Sequence, residues 1–141
     1  MTENLSPVPL RVLAASLLYE TLIVIALVVA GIIIPFTLLG AVLKYVANGK
    51  LLMASTVLLL LFYFVFQWIR GGQTLAMKTW RLKLVTESGL PITPAQAVLR
   101  FSVALAGCLL LGINFIWAFF DSERRFLQDR IAGTLIVRTP R

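Results

Sequence analysis

The chain contains no histidine, a single cysteine and only six acidic residues. Without histidine there is no imidazole acid–base chemistry and no His-ligated metal, and one cysteine forms no disulfide within a chain. Cys108 lies in an apolar stretch and reads as a small buried apolar side chain. Charge of either sign is scarce: 13% of residues are charged against 60% hydrophobic, too little polar surface to cover a soluble core. An integral membrane protein follows from that balance. Its formal net charge of +7 sits at the flanks of apolar runs, without the interleaved aromatics of a nucleic-acid surface. Anionic lipid headgroups are therefore the expected partner, and nucleic acid is not. The sequence shows no nucleophile–base pair, metal-ligand cluster, cofactor loop or phosphate-cradling motif, so neither an enzyme nor a bound cofactor is expected.

What is abundant is apolar sequence in long runs. In the first, residues 10–34, the only charge between Arg11 and Lys44 is Glu20. The run exceeds the roughly 20 apolar residues that a helix needs to cross the hydrocarbon core. It has no small-x-small cleavage pattern near its end and a second apolar run follows, so it is expected to be retained as a span. Residues 1–9, polar and with two prolines, read as a short disordered or interfacial lead. Gly31 and Pro35 predict a kink or an end, with 38–50 as a short interfacial connection. Residues 51–69 form a second, uncharged span between Lys50 and Arg70, with Tyr63, Gln67 and Trp68 near its far end as interfacial aromatics and a local hydrogen-bonder.

After Arg70, Gly71-Gly72-Gln73-Thr74 breaks the helix, and Trp80 to Val85 alternates apolar and basic residues as a strand with one wet face does. Thr93-Pro94-Ala95-Gln96 is a capping box that starts a helix at Pro94. The apolar segment 94–120 is either one tilted third span or a re-entrant hairpin broken near Gly112 to Asn114. A charged helical turn over 122–130 and a short strand over 133–137 complete the chain. The predicted fold class is thus an all-α membrane protein, one domain over 1–141, with a small two-stranded β pairing.

Charge arbitrates the topology. With a single third span, the basic residues divide six against seven. With a hairpin, Arg11, Arg70, Lys78, Arg81, Lys83, Arg100, Arg124, Arg125, Arg130, Arg138 and Arg141 share one side and only Lys44 and Lys50 lie on the other. This bias favours the hairpin and puts both termini and the strand pair in the cytoplasm. Two strands this short need each other to satisfy their backbone groups, so they must share a compartment.

Glu20 is the first functional candidate, because an ionisable residue inside a span costs on the order of 2.5–3.5 kcal/mol and survives where it has a partner. Arg11 lies nine residues away and half a turn out of phase, so the two do not pair. Arg100, lodged in apolar sequence, and the neutral Gln67 and Asn114 are the candidate intramembrane partners. Arg11, at the inner end of the first helix, is placed to meet headgroups or Asp129 in the tail.

These pieces, taken in order, resemble the RDD family of bacterial membrane proteins: Arg11 to Ala15 leading to Tyr19-Glu20, Gly72 to Lys78 with Trp80 to Val85, Ala97 to Phe101, and Asp129 to Val137. The resemblance covers nearly the whole chain and implies a bacterial inner membrane. In it, Arg11 takes the family arginine, Glu20 the first acidic position and Asp129 the second. Glu20 stands where relatives usually carry aspartate, and Gln128 where many carry histidine, which removes a proton carrier. Two functions compete. One is a structural or accessory membrane component whose polar set locks helices. The other is a small transporter or cation/proton exchange subunit using Glu20, which needs a homo-oligomer because so few helices enclose no pathway.

Overall fold

The computed structural model describes residues 8–110 and 112–139, so that of the expected polar lead only Val8 and Pro9 fall within it. Two helices are long and apolar enough to cross a membrane: Leu10–Leu43, with 34 residues, and Gly49–Gly71, with 23. The first is longer than its sequence predicts. Its α1 segment, Leu10–Val28, passes through one π turn, Val29–Ile33, into α2, Ile34–Leu43. A proline removes one backbone donor and crowds the carbonyl four residues back, which normally ends or kinks a helix. Here the widened turn just before Pro35, in which Ile34 N–H donates to Val29 O, absorbs the irregularity and the helix continues. The connection expected over 38–50 shrinks to 44–48, where Lys44 turns left-handed at φ 52°. Asn48 then caps α3, Gly49–Gly71, by accepting from Lys50 N–H at 2.9 Å.

The long helices are dressed inside out. Leu18, Leu22, Ile25, Leu58 and Phe62 are exposed, as suits a hydrocarbon surrounding, while Leu13 and Trp68 turn inward to a core with Met77, Leu82, Leu84 and Phe101. Spacing explains the α1 face: residues 13, 16, 17, 20 and 24 recur at helical periods and form one stripe.

Gly72 ends α3 in the left-handed region, φ 66°, and its carbonyl accepts from Leu84 N–H at 2.6 Å. Any Cβ there would press on Leu84 O at 2.8 Å, so glycine is required both for the turn and for the close approach of the strand. Thr74 starts a five-residue helix, α4 (Leu75–Thr79), which the sequence reading passes over. Strand β1, Leu82–Thr86, pairs antiparallel with β2, Thr134–Arg138, in the register Leu84 to Ile136. The expected pairing is present, and Leu82 and Leu84 face the core.

The capping box forms as read: Thr93 Oγ1 accepts from Gln96 N–H at 3.3 Å and Thr93 N–H donates to Gln96 Oε1 at 3.0 Å. From it runs α5, Pro94–Leu109, followed after a break by α6, Ile113–Phe120, bent from it by 100°. Asn114 packs directly on Gly107, where a Cβ would collide with its amide, so the bend needs a bare backbone at 107. The pair returns to its origin: α7, Leu127–Ala132, packs beside the first turns of α5, with Gln96 Nε2 donating to Ala132 O at 3.3 Å. Both α5 and α6 thus meet α7, which leads into β2, and the bent pair has the form of a broken span or of a re-entrant loop. The helical turn expected over 122–130 begins later. Asp121 folds 121–126 into a loop by accepting from Glu123 and Arg125 N–H at 3.2 and 3.0 Å.

Candidate functional site

Glu20 projects from the inward stripe of α1. Its Oε1 accepts from the Tyr63 hydroxyl of α3 at 3.0 Å, and its Oε2 accepts from Thr74 Oγ1 at the start of α4. Thr74, almost wholly buried, serves twice, because the same Oγ1 accepts from Met77 N–H at 3.2 Å and caps α4. One carboxylate thus ties three elements through two hydroxyls. The candidates named from sequence do otherwise: Gln67 lies half-buried one turn beyond Tyr63, Asn114 bonds elsewhere, and Arg100 pairs with Asp129. Tyr63 reads as an interfacial aromatic and Thr74 as part of a helix stop, so neither announces itself as a carboxylate partner. The available signal is that Thr74 is a good N-cap residue just ahead of Leu75-Ala76-Met77.

Asp129, only 2% exposed, is the second centre. Its Oδ1 accepts from Arg100 Nε at 2.6 Å and from Thr134 Oγ1 at 3.1 Å, joining α7 to α5 and to the first residue of β2. The Arg100 guanidinium lies over the Trp68 ring, 4.4 Å from its centre, a cation–π contact that brings α3 into the same knot. Arg11, expected as a partner of Asp129, is instead exposed on the first turn of α1. The reason is rotational. Leu13 and Ser16 occupy the inward stripe of that turn, and Arg11 points away from it.

Asn114 is fully buried; its Nδ2 donates to Ala104 O at 3.0 Å and closes the α5–α6 bend. Gln128, beside Asp129, is buried too.

Between these groups lies a cavity of about 350 Å³. Glu20, Thr74, Arg100 and Gln128 line it, and most of the remaining wall is aliphatic or aromatic, including Leu17, Val24, Phe64 and Leu105. Among the described residues, no three Cys, Asp or Glu side chains come close enough together to hold a metal ion. The site is a carboxylate clamped by hydroxyls, a buried ion pair and an apolar space between them.

Uncharacterized protein RP437 of Rickettsia prowazekii (strain Madrid E) is 33% identical over 102 residues, 72% of this chain and 57% of that protein. The chain thus spans little more than half the length of that relative. No solved structure matches it significantly. The model of the RDD family matches residues 6–133, which carry Glu20, Asp129, strand β1 and every lining residue of the cavity except Ile136, and the chain belongs to the RDD family.

Proposed function

We propose that this protein is a non-catalytic, structural or accessory component of the bacterial inner membrane, in which the polar residues lock the helices and the basic end holds anionic headgroups. One observation carries the reading: the interior carboxylates of Glu20 and Asp129 are each closed by partners from other elements, Glu20 by Tyr63 and Thr74 and Asp129 by Arg100 and Thr134. Groups arranged this way join elements that would otherwise touch through apolar side chains alone. In this proposal the N-terminal end, the β1–β2 pair and the tail face the cytoplasm, supported by the eleven basic residues that a re-entrant 94–120 collects on one side. Cysteine labelling at position 88 and a reporter fused after Arg141 test that orientation, and a tail that labels from outside would reject it.

A second reading has its own support: Glu20 also faces a cavity, as a protonatable site in a transporter or exchange subunit must. That version requires self-association, since two long helices and a hairpin do not enclose a path. Proteoliposomes with an imposed pH gradient separate the readings. The structural proposal expects no flux that differs between wild type and Glu20→Gln, with both proteins folded alike. A proton flux present in wild type and lost in a fully folded Glu20→Gln would establish the second reading instead, because an amide neither titrates nor carries charge near neutral pH.

A further inference from the structure

Locking helices makes no use of the 350 Å³ cavity, yet its walls hold polar atoms with unmet needs. The indole Nε1 of Trp68, Oδ1 of Asn114 and Oε1 of Gln128 are buried and have no hydrogen-bond partner among the described residues, and all three residues line this one space. Native folds leave few buried polar groups unpaired, and each such group calls for an occupant that pairs with it. Of the charged groups on the walls, Arg100 has its counter-charge in Asp129, and both oxygens of Glu20 already accept from hydroxyls. What remains unpaired is neutral: one donor and two acceptors. Their complement is an uncharged head that both donates and accepts hydrogen bonds, whereas an anionic head would share the space with the Glu20 carboxylate and a cationic one with the Arg100 guanidinium.

The rest of the wall describes the body of the occupant. Leu17, Val24, Leu60 and Leu105 offer no polar partner, so water satisfies the polar end and little else. From Leu13 to Val24 the α1 wall rises roughly 16 Å, the dimension of a chain rather than of a compact solute. Thr21, Cys108 and Phe115 line the cavity and are also exposed, and they sit on the apolar helices, so the mouth opens sideways at the level of other apolar residues. Gln128 adjoins Asp129 and Trp68 lies under Arg100, which groups two of the orphaned atoms around the Arg100–Asp129 pair.

We propose that the cavity binds a single-chain, uncharged amphiphile of the monoacylglycerol class, drawn laterally from the bilayer. Its hydroxylated head pairs with Trp68 and Gln128, and its chain runs past Leu105 to the opening at Cys108. The proposal is independent of any locking or exchange role of Glu20.

The test is photolabelling of the full chain in phosphatidylcholine nanodiscs with a monoacylglycerol carrying a mid-chain diazirine, with adducts mapped by mass spectrometry. The expected adducts fall on Leu105, Cys108 or Phe115, and excess unlabelled monoacylglycerol reduces them about tenfold. Ala104→Phe, which fills the space, lowers labelling by a similar factor. If that variant does not fold, Thr21→Trp at the exposed mouth takes its place, and competition in the wild type decides the matter by itself. Adducts confined to outward residues such as Leu22 and Phe62, or labelling that is not competed, would overturn the proposal. So would stronger labelling of the same walls by a fatty acid or an alkylamine carrying the same diazirine, since either would reject the uncharged head.

Discussion

Glu20 and Asp129 are both carboxylates in a largely apolar protein, and their surroundings have little in common. Asp129 meets a guanidinium that is itself buried, with the Thr134 hydroxyl as a second donor. Glu20 meets two neutral hydroxyls and borders a cavity. The first arrangement is an ionic lock: if either member is removed, the other is left as an uncompensated buried charge. The second is a clamp in which an amide of similar size keeps hydrogen-bonding atoms and carries no charge. The position that looks more anomalous in the sequence, a lone acid in an uncharged run, is thus the more replaceable of the two.

Breaking the ionic side should have the largest effect. Asp129→Ala leaves Arg100 buried and unpaired, and a loss on the order of 3–5 kcal/mol is expected in detergent melting experiments. The double change of Arg100→Leu with Asp129→Leu should be milder than either single change, because no orphaned charge remains. Additive losses in that cycle would mean that the two residues do not act as a pair.

Next comes the bend between α5 and α6. Gly107→Ala drives a methyl into the Asn114 amide and should cost about 1–3 kcal/mol. Asn114→Ala on top of it should recover part of that loss, and a Gly107→Ala protein that melts like wild type would remove the packing argument.

The clamp side is weaker. Thr74→Val removes the cap of α4 together with one bond to Glu20, for which roughly 1–2 kcal/mol is expected. Glu20→Gln should be the smallest change, about 1 kcal/mol or less, since Tyr63 and Thr74 can still donate to the amide oxygen. Should Glu20→Gln prove as damaging as Asp129→Ala, the contrast between lock and clamp fails.

Much of the fold is legible in the residues because its causes are local. An apolar run from Arg11 to Lys44 broken only by Glu20, and an uncharged one between Lys50 and Arg70, announce two long apolar helices, Thr93-Pro94-Ala95-Gln96 announces the start of α5, and alternation over Trp80 to Val85 announces a strand. Gly31 and Pro35 read as a kink or an end, and only the structure shows that the turn before Pro35 widens and the helix continues. The short α4 is hidden because five residues hold too little periodicity to stand out.

By itself, then, the sequence determined the membrane class, the family, the two long helices and the strand pair, because composition, periodicity and capping act within a few neighbouring residues. Only the tertiary structure decided that Asp129 belongs to Arg100 and not to Arg11, that Tyr63 and Thr74 hold Glu20, and that a cavity with unpaired polar walls lies between them. Those facts depend on the rotation of each helix about its axis and on contacts between residues 29 to 54 positions apart, which no local pattern encodes.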